Sequence, residues 1–114
     1  MRIINRVNLD RLDDTIQRMK KNPSQAKKVT RVEGEWILDE AWWPQFRAKI
    51  QAEGGSFILE ADQPKAQGGE GIKPSPMHYC LYGVAACTAA TFATVAATEG
   101  IELRKTRPKS WLTT

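Results

Sequence analysis

From Met77 to Ala97 the chain runs for 21 residues without a charged side chain, and no other stretch limits the possible folds so strongly. Ser75 is placed to cap a helix, Pro76 fits a first helical position, and Gly100 suits the place just past a helix end. The spacing therefore predicts one long helix over 76–99, closed by Glu99 and Gly100. At 1.5 Å per residue the roughly 25 residues from 75 to 99 span about 37 Å, more than many small domains measure across. A rod of this kind leaves water either in a bilayer or inside protein. Its length suits a bilayer, but Ala and Thr dominate it, and His78, Tyr79 and Tyr82 sit in its first half beside only Leu81 and Val84. The drive for insertion is weak, and a membrane partner is not expected. A helix apolar on nearly all sides must otherwise be covered on nearly all sides. Gly83, Ala86, Ala90 and Ala93 form a small-residue ridge that lets another helix approach closely, so a second copy of the chain is the expected cover.

The rest of the sequence reads as an α+β domain. Leu9, Leu12, Ile16 and Met19 repeat at helical spacing behind Asn8, a suitable N-cap, and Asn22-Pro23 ends that helix after Lys20 and Lys21. A strand is expected from Lys28 to Glu35 or Trp36, with imperfect alternation. Gln45 to Gln51 alternates better, setting Phe46, Ala48 and Ile50 against Arg47 and Lys49, and Gly54-Gly55 turns the chain into a strand over Ser56 to Ala61. Trp42-Trp43-Pro44 lies between the first two strands, and packing is the default role of both rings. Asp62 to Ser75 holds Pro64, Gly68, Gly69, Gly71 and Pro74, a loop of about 14 residues, long enough to point to function or mobility.

Composition narrows the classes further. With 114 residues, 41% hydrophobic and 26% charged, the chain fits one folded domain and not a disordered or low-complexity segment. Its net charge of +4 is unevenly spread: residues 1–31 carry +6, residues 32–103 carry −6, and residues 104–114 carry +4. The basic ends do not interleave with a stacking platform or a helix-turn-helix pattern, so no nucleic acid partner is expected. Two cysteines cannot build the disulfide framework of a small secreted domain, and the opening residues lack a signal peptide's apolar run. The cytoplasm, with thiols reduced, is the expected compartment.

Cys80 and Cys87 lie seven positions apart on the predicted helix, separated by about 10.5 Å of rise. Bridged cysteines need Cα atoms within about 4.4–6.8 Å, so an intact helix forbids a disulfide between them. With one histidine and no CxxC spacing, neither a metal nor another cofactor is implied. A buried cysteine defaults to a small apolar core residue. Reactivity requires a thiolate, and Cys87 sits beyond the first turn where the helix dipole acts, so activation needs a nearby cation. Arg31 and Arg47 are available on strands. His78, nine positions before Cys87, is too far along the axis to serve it and is left as a capping or interface residue.

Gly68-Gly69-Glu70-Gly71-Ile72-Lys73-Pro74-Ser75-Pro76, then Leu81-Tyr82-Gly83-Val84-Ala85-Ala86-Cys87-Thr88, then Glu99-Gly100-Ile101-Glu102-Leu103 together resemble the OsmC/Ohr family in order and interval. Val7-Asn8-Leu9-Asp10, Asn22-Pro23-Ser24 and Glu35-Trp36 also resemble the N-terminal extension of an OsmC-like subgroup, so the likeness covers about residues 5 to 104. The resemblance implies an antiparallel curved sheet wrapped around a long central helix, in an intertwined homodimer with sites at the subunit interface. Active members reduce organic hydroperoxides through a helix cysteine, an Arg that lowers its pKa, a Glu that orients the Arg, and a second cysteine that resolves the sulfenic acid.

Carried over, Cys87 takes the peroxidatic position and Arg47 is the candidate activating cation. Met77, Tyr79 and Gly83 are the candidate substrate-binding residues. Met77 stands where the family has its Glu, so the orienting carboxylate is missing from that place. The family's later strand, resolving-cysteine helix and final strands have no counterpart after Leu103. The expectations are a homodimer, an external dithiol reductant, and a small apolar hydroperoxide as substrate. The alternative is a noncatalytic dimeric module that binds an apolar ligand at the subunit interface, with Cys87 only packing.

Overall fold

Three local signals in the first thirty residues are met where the sequence places them. The computed structural model describes residues 1–39, 41 and 43–104. Helix α1 covers Leu9–Lys21, and the Asn8 side chain accepts the Arg11 N–H as its cap. Asp10 in the first turn and Arg18, Lys20 and Lys21 in the last complement the helix dipole. Asn22 ends the helix and its side chain caps a short 3₁₀ turn over Pro23–Ala26. The N-terminal region holds more than the expected helix, because Ile3–Ile4 (β1) and Val7–Asn8 (β2) pair as a small antiparallel hairpin. Its turn residues Asn5 and Arg6 both have positive φ, at 54° and 64°, the conformation of a tight primed turn that asparagine tolerates well.

A three-stranded antiparallel sheet follows, in the order β3 (Glu33–Trp36), β4 (Phe46–Ala52), β5 (Gly55–Ala61). The strand expected from Lys28 begins only at Glu33. Val29 and Val32 lie at odd and even positions, so one strand would send them to opposite faces, and both are exposed. The hairpin between β4 and β5 turns one residue earlier than the expected Gly54-Gly55: Ala52 pairs with Gly55, which joins the strand and leaves Glu53-Gly54 as the two-residue turn. Ala48 is buried with Phe46 and Ile50 half-buried on one face, while Arg47 and Lys49 are exposed on the other, as the alternation requires. Pro44 is buried and Trp43 partly exposed; Trp42 lies outside the described residues.

The long loop after β5 is an ordered structure. Asp62 is 1% exposed; its Oδ2 accepts the N–H groups of Glu70 (3.0 Å) and Ile72 (3.2 Å), and its own N–H donates to the Pro74 carbonyl at 3.1 Å. Gly69 is buried so close to the Gln63 backbone that a Cβ would collide with it, which is why only glycine fits there.

Helix α2 runs over Pro76–Thr98. It starts with a reciprocal cap: the His78 N–H donates to Ser75 Oγ at 3.2 Å and the Ser75 N–H donates to His78 Nδ1 at 3.0 Å. His78 here takes the part a Glu or Gln plays in a capping box. The helix ends in a Schellman motif, with Gly100 at φ 74°, its N–H on the Ala97 carbonyl, and the Ile101 N–H on the Ala96 carbonyl. Residues 101–104 form no strand. Asn5 secures them instead, donating to the Ile101 carbonyl at 2.9 Å and the Ala93 carbonyl at 3.3 Å while accepting the Leu103 N–H at 2.7 Å. Residues 105–114 lie outside the described residues.

The chain, expected as one domain, divides into two compact units: Met1–Val29 with the chain from Tyr82 onward, and Thr30–Leu81. The fold class is mixed α+β, with two antiparallel sheets and two α-helices among the described residues. By length and composition α2 is able to cross a membrane, and 11% of its most apolar window is buried. Only Ala96 and Ala97 in it are fully buried, while Met77, Tyr82, Val84, Phe92 and Val95 are exposed.

Candidate functional site

Helical geometry sets both thiols on one side of α2. Cys80, Gly83, Cys87 and Ala90 follow one another at steps of three and four, so they share a face, and all four are exposed. Both cysteines are free. The half-buried positions, Leu81, Ala85, Ala89 and Ala93, leading to buried Ala96 and Ala97, form a separate stripe. Cys87 is thus an accessible sulfur in the midst of apolar and small side chains, with open space beside Gly83, where an added Cβ would meet nothing. Exposure of this kind is a precondition for oxidation or covalent chemistry of a thiol.

The second group of chemistry-bearing residues is built on the β4–β5 hairpin. The two-residue turn sets Arg47 directly opposite Glu60, and the Arg47 Nε and Nη2 groups donate to one carboxylate oxygen, Oε2, at 3.1 and 3.0 Å. Lys73, from the loop, reaches the other oxygen at 3.5 Å. Tyr79, in the first turns of α2, donates its hydroxyl to the Glu60 carbonyl at 2.6 Å. Glu60 therefore ties together β4, the loop and the start of α2. The hydrogen bond from Arg47 holds its carboxyl below the usual glutamate range, opposed by partial desolvation and assisted by the charges of Arg47 and Lys73. A guanidinium fixed in this way keeps N–H groups in a defined plane for a further anion.

Arg47, Met77 and Tyr79 belong to the unit Thr30–Leu81, whereas Cys87 and Gly83 belong to the other. Met77 is 48% exposed, and Tyr79 is half-buried by its bond to β5. A cavity of about 260 Å³ lies in the first unit, lined by Arg2, Leu9, Leu12, Asp13, Ile16 and Thr98; neither cysteine borders it.

The chain matches no protein-family model and no curated protein. Sequence reasoning missed Glu60 and Lys73 as partners of Arg47. The signal for Glu60 was present: once Glu53-Gly54 is taken as the turn, the register leaves Arg47 no other residue to face. Lys73 gave no such signal, because its position depends on how the loop is pinned by Asp62.

Proposed function

We propose that the protein is a thiol-dependent reductase of small organic hydroperoxides, acting as a homodimer in a reducing compartment, with Cys87 as the attacking sulfur. The observation that carries this reading is the accessible Cys87 thiol midway along an uncharged helix whose apolar side chains are bare in a single chain. A second copy covering that helix would enclose the sulfur in an apolar seam suited to an alkyl hydroperoxide. The family resemblance agrees with it. In the reaction the Cys87 thiolate attacks the outer peroxide oxygen, the O–O bond breaks, and the alcohol leaves after taking a proton. The sulfenic acid left on Cys87 is then reduced by an external dithiol, releasing water and a disulfide of the reductant. Arg47 is the candidate cation for the thiolate, with Glu60 supplying the orienting carboxylate that Met77 does not.

The test is consumption of cumene hydroperoxide in the presence of dithiothreitol. Cys87→Ser abolishes turnover and Cys80→Ser preserves it. Equal loss in both variants, or no turnover in the unaltered protein, defeats the proposal. Met77, in the place of the family's Glu, favours a second reading: a noncatalytic dimer holding an apolar ligand at the interface. A lipid-like molecule retained through native mass spectrometry by an inactive protein, and by its Cys87→Ser variant alike, is the result that selects it.

A further inference from the structure

The sheet ends at β5, and that edge is apolar on both faces. Phe57, Ile58 and Leu59 are 53%, 62% and 40% exposed. Backbone alternation determines which groups face outward. The Ile37 N–H donates to the Gln45 carbonyl, so residues 45, 47 and 49 bond toward β3 and residues 46, 48, 50 and 52 bond toward β5. Their partners 55, 57, 59 and 61 therefore point inward, and Ser56, Ile58 and Glu60 turn their N–H and C=O groups to the open side. At one end that side is closed, because the Glu60 carbonyl takes the Tyr79 hydroxyl and the Asp62 N–H bonds to Pro74. Among the described residues the backbone groups of Ser56 and Ile58 have no partner on the open side.

We infer that this edge is a self-association surface, on which β5 of a second copy pairs antiparallel about Phe57 to give one continuous six-stranded sheet. The occupant follows from the register. With the two-fold axis at Phe57, Ser56 faces Ile58 of the second copy and Ile58 faces its Ser56, so the open N–H and C=O groups satisfy one another and the Tyr79 bond to Glu60 is left in place. Phe57 meets its own counterpart in the close, non-hydrogen-bonded position, where aromatic cross-strand pairs are favourable. Leu59 falls opposite Gly55. The paired stretch from Gly55 to Leu59 carries no charge, and Glu60 beyond it is already neutralised by Arg47 and Lys73, so no like charges oppose each other. The other edge lacks this complementarity: β3 is only four residues long and carries Glu33 and Glu35, the sort of short charged edge that resists pairing. This interface uses neither thiol and does not rest on the hydroperoxide reading.

The test is site-specific cross-linking of the full chain with Cys80 and Cys87 changed to Ser. Phe57→Cys places two sulfurs on residues whose Cα atoms lie about 4.5 Å apart, within disulfide reach, so copper–phenanthroline oxidation gives a covalent dimer. Leu59→Cys sets its two sulfurs about 13 Å apart along the strands and gives about ten-fold less. Adding Ile58→Pro to Phe57→Cys removes an outward N–H without touching the β4 ladder, and abolishes the bridge. Should Phe57→Cys fail to fold, mixing Ser56→Cys chains with Ile58→Cys chains gives a mixed dimer that neither forms alone. Bridging at Phe57 and Leu59 alike reports unregistered strand aggregation and overturns the inference. No bridge at either pairing leaves the edge to a strand of another protein and overturns it equally. Because the variants lack both native thiols, either result stands apart from the outcome of the turnover assay.

Discussion

Glu60 shows how one side chain can be set by its register partner. Facing Arg47 across the hairpin and reached by Lys73 from the loop, it is a carboxylate whose ionised form the fold favours. Its pKa in the folded protein is lowered, first by the Arg47 hydrogen bond. The stabilisation it gives is therefore complete above the ordinary glutamate range of the unfolded chain, and is lost as pH falls through the depressed value of the folded state. Both partners are partly exposed, which keeps the effect small. Urea midpoints measured from neutral pH into the acid range should decline in that window, and the decline should be shallower in Arg47→Gln. An identical profile in both proteins counts against the pairing. Asn5 is the other decisive residue. Its positive φ lets the hairpin turn, and its amide then binds three backbone groups in and just beyond α2. This use of one side chain for both a turn and a clasp has no local sequence signature.

At the scale of the element, α2 depends on its ends as much as on its length. Long apolar helices make few side-chain hydrogen bonds, so the orphan N–H groups of the first turn need a partner. Ser75 and His78 supply it reciprocally. Ser75→Ala should cost about 1 kcal/mol in chemical denaturation, in line with loss of a serine cap. His78→Gln, which keeps an acceptor of similar reach, should lose much less than His78→Leu. Equal losses from Gln and Leu at that position would show that packing and not the acceptor matters. The predicted end at Glu99 and Gly100 is met by the Schellman motif one residue earlier than the expected boundary. Helix α1 was equally legible, since its apolar spacing, Asn8 cap and Asn22-Pro23 stop are all local. The first strand was less so. Its expected beginning at Lys28 overlooked that an irregular alternation gives no single face to bury.

At the scale of the whole molecule, the exposed apolar surface of α2 is the dominant fact. Val84 and Val95 lie bare beside the ridge from Gly83 to Ala90, and Tyr82 and Phe92 are exposed at other angles around the helix; apolar area of this kind is costly in water, at about 25 cal/mol per Å². The homodimer of the proposed function removes that cost with protein. Sedimentation across a wide dilution series should then show dimers giving way to unstable monomers at low concentration, with folding and association lost together. Vesicles should not capture the chain. Partition into neutral lipid vesicles, with no self-association in their absence, would instead assign α2 to a bilayer, which its length and composition also permit.

The sequence by itself determined whatever depends on neighbours a few positions apart: the two helices and their caps, the β4–β5 hairpin with its buried and exposed faces, and the glycine past the end of α2. Those features arise from dihedral preference and periodicity, which a short window contains. Only the tertiary structure decided that Glu60 would receive Arg47, Lys73 and Tyr79, that Asp62 would pin the long loop, and that Asn5 would hold Ile101 and Leu103. Each of these joins groups distant along the chain, and such contacts are selected by the packing of whole elements, which no local pattern encodes.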